Sequence, residues 1–209
     1  PQPGGVGDYT RLVAEGLVDR GMDVHVWVMG AEGRVDELNA TGPTIHRERN
    51  LSRIGKGLDR FPKARRILVQ YAPNAFSSKG LNFRLGPLLM NRKSRGDQVR
   101  LMFHEVTYML QPGDRMTRRL LVVGQRRIAR GLLRAADAVD VAIPYWDDLL
   151  RPCDPIPSRI YNDRPVPSNI PIHSDSKGVD AIRLAWSARG VSTVVGSFGT
   201  FASDVDSLL

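Results

Sequence analysis

The chain has 209 residues, of which 42% are hydrophobic, 25% charged and 7% aromatic; this supports a sizeable core and excludes collagen, coiled-coil and disordered classes. Thirty Lys and Arg stand against 22 Asp and Glu, a formal net charge of +8, which suits nucleotide phosphates, nucleic acid or an acidic membrane face, or equally a plain arginine-rich surface. Cys153 is the single cysteine, so a disulfide framework and a cysteine metal cage are excluded, and no apolar run reaches the roughly 18 residues of a membrane span.

Residue one is a proline, and PQPGGVGDYT reads as a loop entering a helix. No charged start with a following apolar stretch is present, so no signal peptide is expected. Both ends read as cut, which predicts a piece of a longer protein. A first helix is expected over 8–20, with Tyr9, Leu12, Val13, Gly16 and Leu17 on one face, Asp8 as its cap and Gly21 as its stop. Val24, Val26 and Val28 alternate and predict a strand. Thr44 to His46 predicts a short strand, and 51–61 a basic helix ending near Pro62.

ILVQYAP, 67–73, is a continuous apolar run and predicts a strand buried on both faces. Residues 80–93 read as helix, with Pro87 a kink or boundary. VRLMFHE, 99–105, and AVDVAIP, 138–144, predict two more buried strands, separated by a long helix over 115–135. Tyr145 to Leu150 predicts a short helix. Residues 151–175 are rich in Pro, Ser, Asn and Asp and read as loop with short extended pieces, an interdomain approach or a surface loop. Residues 178–189 are weakly helical, and TVVGSFGTF, 193–201, begins another strand–turn–helix unit. Strands alternating with helices predict an α/β fold, a Rossmann-like parallel sheet with helices on both faces.

Ligands of such sheets bind at the carboxyl ends of the strands, which directs attention to Pro73 and Asn74, His104 and Glu105, Pro144 and Tyr145, and Gly196 to Thr200. GGVGDY, 4–9, opens the first helix, where free N–H groups and the helix dipole suit a phosphate; the alternative is an ordinary tight turn. A dinucleotide fingerprint fails there, because Gly5 and Gly7 match but Thr10 occupies the third glycine's place. His104 and Glu105 end a strand, a place for proton transfer or for a satisfied polar residue; as neighbours on a strand they point to opposite faces. His25, His46 and His173 show no ligand spacing, so no metal site is expected. GSFGTF, 196–201, is a second glycine turn able to hold a phosphate through N–H groups. The 115–135 helix carries Arg115, Arg119, Arg126 and Arg130 on one side and Leu121, Ile128, Leu132 and Ala136 on the other. That pattern fits an anionic membrane face or a helix packed on a sheet with a solvated outer side.

GGVGDYTRLVAEGLVDRGMDVHVWV resembles the start of glycosyltransferases of the GT-B fold, family 4 type, and RILVQYAP, FHEVTY, AVDVAIP and VVGSFGTF occur in the matching order. The resemblance implies an amino-terminal, acceptor-side Rossmann-like domain over 1–188, lacking its first strand, and the beginning of the donor-binding domain over 189–209. It implies a retaining glycosyltransferase of hexosyltransferase type, with no cofactor or metal. A nucleotide sugar would be the donor, and a sugar, polysaccharide or lipid-linked molecule the acceptor. Gly4, Gly5, Val6, Gly7 and Asp8 would face donor and acceptor. His104 would be the active-site histidine on the donor sugar, with Glu105 beside it, and Gly196, Ser197 and Gly199 would approach the donor phosphates from the other domain. The family's Arg/Lys pair and E-x7-E segment would lie beyond Leu209, so the chain alone is expected to be inactive. A cytoplasmic protein, peripheral at the membrane and without a nucleic-acid partner, is expected. The alternatives are a non-catalytic nucleotide- or polyanion-binding Rossmann-like module and an NAD-dependent oxidoreductase or epimerase. The failed fingerprint and the displaced acidic residue Glu32 weigh against the last.

Overall fold

A computed structural model describes residues 5–29, 36–37 (backbone), 42–77, 79–108, 110–166, 176–191 and 193. The chain divides into two compact units, 1–169 and 170–209, and the division falls inside the proline-rich 151–175 stretch. In the first unit α1 spans Gly5–Val18, followed by β1 (His25–Met29), β2 (Asp36–Glu37), β3 (Thr44–Glu48), α2 (Leu51–Leu58) and β4 (Arg66–Tyr71). Then come α3 (Pro73–Phe76), α4 (Leu85–Ser94), β5 (Gln98–Phe103), α5 (Met116–Ala135) and β6 (Ala138–Val141). The unit closes with α6 (Tyr145–Leu150), a 3-10 turn (Arg151–Cys153) and β7 (Tyr161–Asp163).

Two sheets form among the described residues. One has the order β1-β3-β2, with β1 and β3 parallel and β2 antiparallel to β3; the other is fully parallel in the order β4-β5-β6-β7. The fold is α/β and Rossmann-like. Period-two alternation divides the larger sheet's side chains between two faces. Val69, Tyr71, Val99, Leu101, Phe103, Val139 and Val141 point to one face and form the core with Leu85 and Leu89 of α4 and Ile128, Ala129, Leu132 and Leu133 of α5. Trp27 and Met29 of β1 pack on the edge of that core.

The other face is only partly covered, which corrects the expectation that β4 is buried on both faces. Arg66 and Leu68 are exposed, Leu68 by 39%, and Gln70 is half-buried. An apolar run reports what a strand can bury; what packs on each face decides what it does bury. On β5, Gln98 and Arg100 are exposed on this face, although Met102 is buried. Asp140 of β6 is also buried there. It receives Arg100 Nε at 2.5 Å and Nη2 at 2.6 Å, a bidentate pair.

Helix ends follow local chemistry. Asn50 caps α2, its side-chain oxygen accepting the Arg53 N–H at 3.1 Å. Gly21, at φ +76°, ends α1, and the Met22 N–H returns to Leu17 O at 3.2 Å. α1 starts at Gly5, so Asp8 lies inside the first turn and is not the cap expected of it. Pro87 sits in the first turn of α4, where its missing N–H is harmless. Arg159 closes α5: Nη2 donates to Leu133 O at 2.8 Å, Nη1 to Ala136 O at 3.1 Å, and Nε to Asp154 at 2.8 Å. The Tyr161 hydroxyl donates to the same carboxylate. α4 and α5 cross where both carry glycine: a Cβ at Gly86 would lie 3.2 Å from the Gly131 carbonyl carbon.

In the second unit α7 spans Ser176–Ala188 and ends at Gly190, φ +74°. The strand–turn–helix expected over 193–201 lies outside the described residues, apart from Thr193.

Candidate functional site

Beyond β5 the ladder continues for one residue, with the His104 N–H donating to Tyr71 O at 2.9 Å. This fixes His104 at the carboxyl edge of the larger sheet. Gln70 is paired with Met102, so His104 is Gln70's diagonal neighbour on the same face. Its Nε2 lies 2.7 Å from Gln70 Oε1. With an amide oxygen accepting, Nε2 carries the proton and Nδ1 remains an acceptor. The Tyr9 ring of α1 meets the imidazole edge-on, centroids 4.9 Å apart at 75°. Burial holds the His104 pKa below its ordinary 6.5, so the ring is neutral at pH 7. With Nε2–H held by Gln70, the neutral ring presents Nδ1 as an acceptor and can orient a ligand hydroxyl without adding charge.

Tyr9 also faces the buried ion pair. Its phenol pKa is raised, first by burial and then by Asp140, with Arg164 and Arg100 acting in the opposite direction. α1 therefore lies over the face opposite α4 and α5, so helices stand on both faces of the larger sheet. Gly5, Val6 and Gly7 form the first turn of α1, where N–H groups point outward without intrahelical acceptors. A Cβ at Gly5 or Gly7 would meet nothing within 4 Å, so the backbone there is open to approach. Val6 O accepts the Thr10 hydroxyl at 2.6 Å. Glu105 is exposed, and no hydrogen bond joins it to His104. Gly4, Gly196, Ser197 and Gly199 lie outside the described residues.

Behind His104 the loop is fastened to α5. Gln125, fully buried, accepts from the Thr107 hydroxyl and from the Tyr108 N–H, both at 2.9 Å. The Tyr108 hydroxyl donates to Asn74 Oδ1 at 2.6 Å, tying this loop to α3, which follows β4. Beyond the ends of β1 and β3 lies a hollow of about 350 Å³, lined by Arg49, Asn50, Ser52, Asn82 and Arg84 with Met29, Leu51, Phe76 and Leu88. Gln70, Gln125 and this hollow were not singled out from sequence. Their one sequence signal is a polar residue inside an otherwise apolar element (Gln70, Gln125).

Away from the site, His25 and His46 meet across β1 and β3, Nδ1 to Nε2 at 2.9 Å, with Asp23 3.2 Å from His25 Nε2 and Trp27 stacked on His46 at 4.2 Å. His173 lies outside the described residues. Among the described residues no group of three or more His, Cys, Asp or Glu comes together to hold a metal ion. No described helix is long and apolar enough to cross a membrane.

No curated protein and no solved structure gives a significant match. The family described as glycosyl transferase 4-like domain matches residues 4–161, a span that takes in α1, β5 and His104 and reaches the first residue of β7. The chain belongs to the glycosyl transferase 4-like domain family.

Proposed function

We propose that the protein transfers a hexose from a nucleotide sugar to a carbohydrate or lipid-linked acceptor, with retention at the anomeric carbon. The observation that carries this reading is His104, half-buried and neutral, at the carboxyl edge of the larger sheet beside the α1 residue Tyr9. The reading assigns His104 to a hydroxyl of the donor sugar. It places Gly4 and the first-turn residues of α1, Gly5, Val6, Gly7 and Asp8, near the diphosphate and acceptor, with Glu105 at the rim. The same reading assigns Gly196, Ser197 and Gly199 to the donor phosphates. Oriented backbone N–H groups act where the leaving diphosphate gathers charge, and they need no reorganisation as it does so. Holding the acceptor hydroxyl against the anomeric carbon supplies much of the remaining acceleration. The hollow beside Arg49 and Arg84 has the mixed polar and apolar lining that an acceptor needs. A role in polysaccharide or glycolipid assembly follows, in a cytoplasmic protein.

The test uses the full-length protein with a panel of nucleotide sugars, following release of nucleoside diphosphate. Release with one donor, reduced about 100-fold or more in His104→Ala, is the expected result for a group contacting the reacting sugar. A folded protein that binds a nucleotide but releases no diphosphate with any donor and acceptor would replace this reading with a binding module.

A further inference from the structure

α5 has two apolar faces, and only one is used by the core. Val122, Gln125, Ile128, Ala129, Leu132, Leu133 and Ala135 are buried. On the outside, Met116, Leu120 and Val123 are 67%, 63% and 62% exposed, and Arg127, Arg130 and Arg134 continue the same line. At about 100° per residue these six positions fall within roughly 80° of arc. Arg119 and Arg126 flank the strip. The helix holds six arginines and no acidic residue. Among the described residues none of Arg119, Arg126, Arg127, Arg130 or Arg134 forms an ion pair; Asp114, before the helix, pairs with Arg118. Phe83, also exposed, extends the apolar end, since its ring lies 3.6 Å from where a Cβ on Gly124 would stand.

A helix solvated on its outer side would not place Met, Leu and Val there. A polyanion alone would use the arginines and leave those three without a role. Apolar side chains set in a cationic, carboxylate-free stripe match a surface that is anionic outside and hydrocarbon just beneath. We propose that the outer face of α5 lies on an anionic lipid bilayer. Met116, Leu120, Val123 and Phe83 enter the headgroup–acyl boundary, and the arginine line rests on lipid phosphates.

The apolar half is the amino-terminal half of α5, which follows the His104 loop and holds it through Gln125. Docking therefore brings the His104 end of the sheet toward the membrane. Taken together with the proposed transfer reaction, on which this last step rests, it selects a lipid-linked acceptor over a soluble one.

The test is co-sedimentation of the full-length protein with vesicles of phosphatidylcholine, with and without phosphatidylglycerol, in the absence of donor. Binding to the anionic vesicles that weakens with salt is expected. Arg119→Gln/Arg127→Gln/Arg130→Gln should lower the partition coefficient on the order of 100-fold at low salt. Met116→Ser/Leu120→Ser/Val123→Ser should lower it at least about tenfold, with an unchanged circular dichroism spectrum. No partition into either vesicle, equal partition into both, or binding indifferent to both triple variants would overturn the proposal. So would nucleic-acid or protein binding that the Arg variant abolishes and the apolar variant spares. Diphosphate release plays no part in this readout, so failure here is separable from failure of the transfer reaction.

Discussion

Arg159 offers the sharpest test of the packing described above. Its side chain is buried, and so is its partner Asp154, 2% exposed. Arg159→Ala removes three hydrogen bonds: one to that carboxylate and two to the closing carbonyls of α5. Asp154 keeps the Tyr161 hydroxyl and the Ile156 N–H as donors but loses its cation. Each carbonyl keeps one long hydrogen bond, Ala136 O from Lys93 Nζ at 3.5 Å and Leu133 O from the Ala136 N–H at 3.3 Å, so the main loss is the cation beside Asp154. Removing one member of a buried pair costs about 3–5 kcal/mol, and we expect about 4 kcal/mol here. With a urea slope of about 2 kcal/mol/M for a unit of this size, the midpoint falls by about 2 M. Removing both charges in Arg159→Met/Asp154→Leu should cost about 2 kcal/mol or less, because no charge is left stranded. Urea titrations followed by circular dichroism measure both changes. A loss under about 1 kcal/mol for Arg159→Ala would refute the reasoning, since it would mean the carboxylate is solvated or rearranges freely.

Gln125→Leu keeps bulk but leaves the Tyr108 N–H unsatisfied and the Thr107 hydroxyl with only Tyr108 O at 3.4 Å; it should cost about 2–3 kcal/mol in urea titration and loosen the loop behind His104. Gly57→Ala would put a Cβ into the Trp27 ring; despite the better helix propensity of alanine it should destabilise by about 1–3 kcal/mol and shift tryptophan fluorescence. Burial, then His25, lowers the His46 pKa, and burial lowers that of His104. The unfolded chain therefore binds more protons just below pH 6.5, and stability is lost as pH falls from there through the folded values. Unfolding midpoints measured across that window should drop on acidification, and His46→Phe should flatten the drop.

Much of this was legible where the chain carries its own signals. Tyr145–Leu150 and the long helix ending at Ala135 follow from apolar spacing and from the prolines and glycines around them. β7 did not announce itself: its three residues sit in a proline-rich stretch and become a strand only because β6 offers an edge. Gln70 reads as one polar residue in an apolar run, and its meaning comes from a register with β5 that no local window contains. The His25–His46 contact is likewise a product of register, between residues 21 apart in sequence. His104 was visible because a histidine ending an apolar run is conspicuous. Its neutral state was not, because that depends on what buries it.

The crossing of Gly86 over Gly131 bears on how the outer strip of α5 is aimed. Where two helices meet through side chains, a layer of rotamers acts as a bearing, and one helix can roll on the other by repacking it. Here backbone rests on backbone, so that bearing is missing at the crossing. That contact has no rotamers to repack, and with the buried row from Val122 to Leu133 it holds the inner and outer faces of α5 to their headings. Residues on the outer face are thus free to change in evolution or by design without turning the helix, and with it the Gln125 clamp, away from the loop it holds.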